Sequence, residues 1–126
     1  MTTRIALVDD EHSVRVALAR VLRFAGYEVV TYACGSDFLA AVDEFRPDCA
    51  LLDMHMPGLT GLQVQQQLHA RQLRLPAVFI TASDDGDIER NVLDAGGHCL
   101  LHKPFSSQQL LTSVAAAIGA PLTPMA

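Results

Sequence analysis

The sequence predicts an α/β domain, a doubly wound five-stranded parallel sheet with helices on both faces. Two observations carry that reading. Five short apolar runs recur along the 126 residues, each too short for a helix, and segments with helical spacing separate them. Polar residues then collect just after the carboxyl ends of four of the five runs, where open parallel sheets build their binding crevices.

The five runs are Arg4–Val8, Glu28–Tyr32, Asp48–Leu52, Ala77–Thr81 and His98–Leu101. Most are apolar at successive positions, as strands buried on both faces should be. The first helical segment places Val14, Ala17, Leu18, Val21, Leu22 and Ala25 on one stripe and stops at Gly26, in a C-capping position. Further segments are Phe38–Phe45, Leu62–Leu73, Ile88–Ala95 and Leu110–Ile118. Strands that alternate with helices pair in parallel, because each crossover returns the chain to the same edge of the sheet. Residues 1–120 therefore read as one domain, and the proline-containing 121–126 as a flexible tail or linker stub.

Composition narrows the function. Nine Lys and Arg against fourteen Asp and Glu give a net charge of −5, and no run of basic residues offers a phosphate-binding stripe, so direct nucleic-acid binding is not expected. The first residues reach paired acids too early for a signal peptide, and no apolar run is long enough to span a membrane. Cys34, Cys49 and Cys99 are odd in number and widely spaced, which suits reduced thiols and a cytoplasmic setting. His12, His55, His69, His98 and His102 show no zinc spacing.

The first strand ends in Asp9-Asp10, the third in Asp53, the fourth in Thr81 followed by Ala82, and the fifth runs into Lys103-Pro104. Each has an ordinary explanation when taken singly. Acids commonly open helices, Asp53 could start a turn, Thr81 fits any strand and a lone lysine is usually solvated. Together they describe a chemistry. Three close carboxylates repel one another and call for a counter-charge. All-oxygen ligands favour a hard cation such as Mg²⁺, and a carboxylate beside it can attack phosphorus to form an aspartyl phosphate. Lys103 and Thr81 would then bind the oxygens of the transferred group, with Ala82 leaving it room.

The stretches ALVDDE, LLDMHMPGLTGL, VFITAS and HKPF resemble, in order, the receiver domain of two-component response regulators, with the fold of the chemotaxis regulator. The resemblance spans nearly the whole chain. It implies a flavodoxin-like strand order of 2-1-3-4-5. It further implies Asp53 as phosphoacceptor, Asp10 as a direct and Asp9 as a water-mediated Mg²⁺ ligand, the His55 backbone carbonyl as a further ligand, and Thr81 with Lys103 as the pair that registers the phosphoryl group. The Lys103-Pro104 bond is expected to be cis, as it commonly is in this family. The MPG-x-TG and TAS segments look closest to the FixJ-like subgroup, whose receivers usually precede a DNA-binding domain, so the output would be transcriptional or would lie in another protein. The family's switch aromatic falls on Leu100.

The implied partners are a sensor histidine kinase, an output domain or downstream protein on the face made by the fourth helical segment, the fifth strand and the fifth helical segment, and a second copy on phosphorylation. The chain would catalyse only its own phosphorylation and dephosphorylation. Two other functions fit less of the sequence. A magnesium-dependent phosphohydrolase usually carries a second Asp two residues after its nucleophile, where this chain has His55. A docking or dimerisation module that ignores phosphorylation would not need Asp9, Asp10, Asp53, Thr81 and Lys103 together.

Overall fold

Parallel pairing of buried strands organises the chain. The structure, a computed structural model, describes residues 2–82 and 99–119. Its elements run β1 (Arg4–Val8), α1 (His12–Phe24), β2 (Glu28–Tyr32), α2 (Gly35–Phe45), β3 (Cys49–Asp53), α3 (Gly61–Ala70), β4 (Ala77–Thr81), β5 (Cys99–His102) and α4 (Ser107–Gly119). The helix expected at 88–95 lies outside the described residues, as does His98.

The sheet has the order β2-β1-β3-β4-β5, with every neighbour parallel. From β1 the chain first moves outward to β2 and then returns past β1 to β3. The reversal therefore falls between β1 and β3, and this switch point opens a crevice at their carboxyl ends.

Alternating side chains divide the core in two. Ile5, Leu7, Leu51, Val78 and Ile80 meet residues of α1 and α4, including Leu22, Leu110 and Val114. Ala6, Val8, Ala50, Leu52 and Phe79 meet Phe38 and Val42 of α2 and Val64 and Leu68 of α3. β3 and β4 are buried along their whole length, whereas the edge strand β2 is mostly half-exposed.

Several ends differ from the sequence reading by a few residues, and local hydrogen bonds explain them. The third strand, expected at 48–52, extends through Asp53 because the following Met54 N–H still donates to the Ile80 carbonyl of β4. α3 begins at Gly61 because Thr60 caps it: Gln63 N–H donates to Thr60 Oγ1 and Thr60 N–H donates to Gln63 Oε1. It stops at Ala70 rather than Leu73, since Gln72 takes a positive φ of 61° and turns the chain away. The same reciprocal capping by Ser106 and Gln109 starts α4 before the apolar stripe at Leu110. The Lys103-Pro104 bond is cis, as expected.

The loop after β3 is shaped by two glycines. Gly58 turns it with a φ of 79°, which L side chains rarely adopt. Gly61 lets α3 approach β3, because a Cβ there would sit 2.6 Å from the Asp53 carbonyl oxygen. Gly61→Ala is therefore expected to lower stability by about 2 kcal/mol, read as a reduced urea midpoint with an unchanged m-value.

Candidate functional site

The crevice at the switch point receives the residues that the sequence marked. Asp9 follows β1 directly, Asp53 ends β3, Thr81 ends β4, and Lys103 follows β5. Backbone bonds hold these ends in step: Asp9 N–H donates to the Tyr32 carbonyl, Met54 N–H to that of Ile80, and Lys103 N–H to that of Thr81. Carboxylate oxygens of Asp9, Asp10 and Asp53 all lie within 4.8 Å of one another. Asp9 is fully buried and Asp53 is 4% exposed, while Asp10 faces solvent.

Each acid has its own support. Asp9 Oδ1 accepts the Glu11 N–H at 2.9 Å. Its Oδ2 is buried without a hydrogen bond and faces Lys103 Nζ at 3.7 Å. Asp53 Oδ1 accepts the His55 N–H at 3.0 Å. Asp9 does not open α1, whose N-cap is Glu11 without a side-chain bond; one Asp9 oxygen instead closes a turn onto the Glu11 N–H and the other is left to the crevice.

Burial pushes the Asp53 carboxyl up to about 6. The His55 N–H bond opposes that rise, Asp9 adds to it, Lys103 opposes it and Asp10 adds to it. The chain has therefore placed an acid where ionisation is disfavoured unless positive charge is added. A hydrogen-bond-free buried carboxylate oxygen and an all-oxygen donor set fit a hard divalent cation such as Mg²⁺.

Lys103 Nζ faces Asp9 Oδ2 at 3.7 Å and Glu11 Oε1 at 4.0 Å. Thr81 is fully buried, and its Oγ1 is 3.2 Å from His55 Nε2. The exposed His55 side chain thus bridges the ends of β3 and β4, a contact that no sequence spacing reveals. Ala82 is exposed beside Thr81. Leu100 is not at the acidic cluster; it pairs in register with Phe79 and packs, half-buried, against the α2–α3 side of the core.

Two further residues support the site without having been singled out. Arg15 Nη1 donates to the Asp9 carbonyl at 2.7 Å, so α1 braces the loop that carries the acid pair. Glu11 supplies both the N–H bonded to Asp9 and a carboxylate near Lys103. Glu11 adjoins the acid pair in sequence, whereas Arg15 looks like an ordinary surface residue of a helix.

A family profile described as the response regulator receiver domain matches residues 5–115. The chain belongs to the response regulator receiver family. Receivers are the signalling switches of two-component systems. The response regulator MprA of Mycobacterium tuberculosis (strain H37Ra) is 40% identical over 116 residues, which cover 92% of this chain and 50% of the relative. This receiver thus spans about half the length of the curated relatives it matches. Among solved structures, the chemotaxis response regulator CheY4 of Vibrio cholerae superposes with a TM-score of 0.86 at 27% identity, covering 93% of this chain and 99% of that one. The crystal structure of FixJ-N matches with a TM-score of 0.87 at 25% identity, covering 94% of each chain.

The raised Asp53 value fixes the sign of a pH effect. A carboxyl that holds its proton more tightly when folded stabilises the fold at low pH and loses that contribution as pH rises. In chelator, the receiver is expected to lose stability between about pH 4 and about pH 6 relative to Asp53→Asn. At pH 8 the variant should be the more stable by about 1–2 kcal/mol, and the difference should vanish below pH 4. Paired urea titrations across this range measure it.

Proposed function

We propose that Asp53 is the phosphoacceptor of this receiver and that a partner histidine kinase is its donor. The grouping of the Asp9, Asp10 and Asp53 carboxylates within 4.8 Å, at the strand ends that also carry Thr81 and Lys103, supports this reading above all. Asp9, Asp10, Asp53 and the backbone carbonyl of His55 would hold Mg²⁺, which when bound neutralises negative charge on the phosphoryl group in flight.

Asp53 attacks through the carboxylate oxygen that the His55 N–H does not occupy. A bond forms between that oxygen and phosphorus as the phosphorus–nitrogen bond to the kinase histidine breaks. Lys103 reaches the incoming oxygens from the β5 end, and Thr81 turns from His55 toward them. The small side chain of Ala82 leaves the entrance open.

A doubly charged group held in this way changes the relative stability of two conformations. Moving such an equilibrium from nearly all inactive to nearly all active takes about 5.5 kcal/mol of differential stabilisation, and several charge-assisted hydrogen bonds in a buried crevice are of that order. Thr81 begins the change, and Leu100 on β5 carries it to the outer surface. The face that includes β5 and α4 would meet the output domain, a downstream protein or a second copy. Residues 1–120 would form the switching unit, and the setting would be cytoplasmic. A transcriptional output fits this arrangement.

Incubation with acetyl phosphate and Mg²⁺ should add one phosphoryl group by intact mass, and Asp53→Asn should remain unmodified. An unmodified wild-type mass would reject the proposed role of Asp53. His55→Ala should alter the lifetime of the phosphorylated form by about 2- to 10-fold, as expected if the ring, once Thr81 has turned away, holds the hydrolytic water by a hydrogen bond of about 1 kcal/mol. Decay of the phosphorylated mass after removal of the donor measures that effect.

A further inference from the structure

Of the three grouped acids, Asp10 has the least support. Its side chain faces solvent, and among the described residues no hydrogen bond or ion pair holds it, whereas Asp9 and Asp53 each accept a backbone N–H. Backbone alone therefore decides where its carboxylate stands. Repulsion from two buried carboxylates within 4.8 Å would otherwise drive it out into water.

The peptide that joins Asp9 to Asp10 is where that backbone is held. β1 ends at Val8 and α1 starts at His12, so the acid pair sits on a three-residue loop. On the strand side, Asp9 N–H donates to the Tyr32 carbonyl, and on the helix side Glu11 N–H closes onto Asp9 Oδ1. The carbonyl between them accepts Arg15 Nη1 at 2.7 Å, from a side chain that reaches back along α1. A peptide is planar, so pinning its oxygen also fixes the plane that delivers the nitrogen and Cα of Asp10.

The guanidinium is itself held in place. Arg15 is half-buried, its backbone N–H donates to the Glu11 carbonyl at 3.0 Å, and its Nη2 lies 3.4 Å from His12 Nδ1. Among the described residues no carboxylate forms an ion pair with it. A positive charge beside an acidic cluster thus directs its short bond at a carbonyl rather than at an acid. Two effects of opposite sign follow. As a charge, Arg15 opposes the arrival of a cation, so its removal would tighten binding; as a brace, it keeps Asp10 with its neighbours, so its removal would weaken binding.

We infer that Arg15 is a positioning residue for the cation site, holding the Asp9–Asp10 peptide so that the Asp10 carboxylate stays grouped with those of Asp9 and Asp53 for a hard divalent cation. This rests on the reading of the three acids as a Mg²⁺ site. The brace outweighs the charge. Asp10 faces solvent, where water and salt weaken the repulsion between a guanidinium and an arriving cation, whereas a ligand that swings away is lost outright. Groups that orient metal ligands without touching the ion typically change affinity by about 10- to 100-fold.

Mg²⁺ alone, with no phosphodonor, is titrated into the isotope-labelled protein, and the amide shifts of Asp9, Asp10, Glu11 and His55 report occupancy. Arg15→Met and Arg15→Leu remove the charge and the donor but keep good helix formers, so both should hold the wild-type thermal midpoint in chelator. Expected is Mg²⁺ affinity weaker by about tenfold or more in both, with Arg15→Lys, which keeps a charge and a donor, recovering part of the loss. In an Asp10→Asn background Arg15→Met should change affinity by less than about threefold, because the carboxylate that Arg15 holds is gone. Equal or tighter binding in Arg15→Met and Arg15→Leu, weaker binding in Arg15→Lys than in either, or a full effect of Arg15→Met in the Asp10→Asn background would overturn the inference and leave the Mg²⁺ reading standing. A wild type without saturable Mg²⁺ shifts would overturn both.

Discussion

Mutual repulsion among carboxylates at the ends of β1 and β3 is the constraint on which the site depends. Flexible acids would swing apart into water. Here Asp53 is the last residue of a fully buried strand and Asp9 follows another, so neither backbone can yield without breaking the sheet. The core on both faces, from Leu7 and Leu51 on one side to Val8 and Leu52 on the other, holds the acids in place. Packing energy is thereby converted into a demand for positive charge at one point.

The surroundings answer that demand only in part. Lys103 offers an ammonium at 3.7 Å from Asp9, a separation at which Coulomb attraction persists without a hydrogen bond. The His55 N–H steadies Asp53 but brings no net charge. Incomplete compensation leaves the acidic cluster short of positive charge. Under the proposed phosphorylation, the Thr81 hydroxyl would first have to leave its contact with His55.

Much of this was legible in the chain because parallel sheets impose simple rules. Apolar runs of four or five residues marked the strands, and the chemistry collected at their carboxyl ends since the crossover helices leave that edge open. Asp9, Asp10, Asp53, Thr81 and Lys103 could thus be placed from sequence and a family resemblance. Helix starts were less legible, because Thr60 with Gln63 and Ser106 with Gln109 add polar capping turns ahead of the apolar stripes. Contacts set by side-chain reach rather than by register were hidden altogether. His55 meeting Thr81 and Arg15 meeting the Asp9 carbonyl both depend on where rotamers point.

The bond from Arg15 to the Asp9 carbonyl gives α1 a double allegiance. One guanidinium lines an open groove along the outer side of α1 and also pins the peptide that presents the buried acid. Displacement of that side chain would be felt as slack in the floor of the crevice. Two regions with separate chemistry therefore share a mechanical joint, and evolution cannot retune one of them at residue 15 without negotiating with the other.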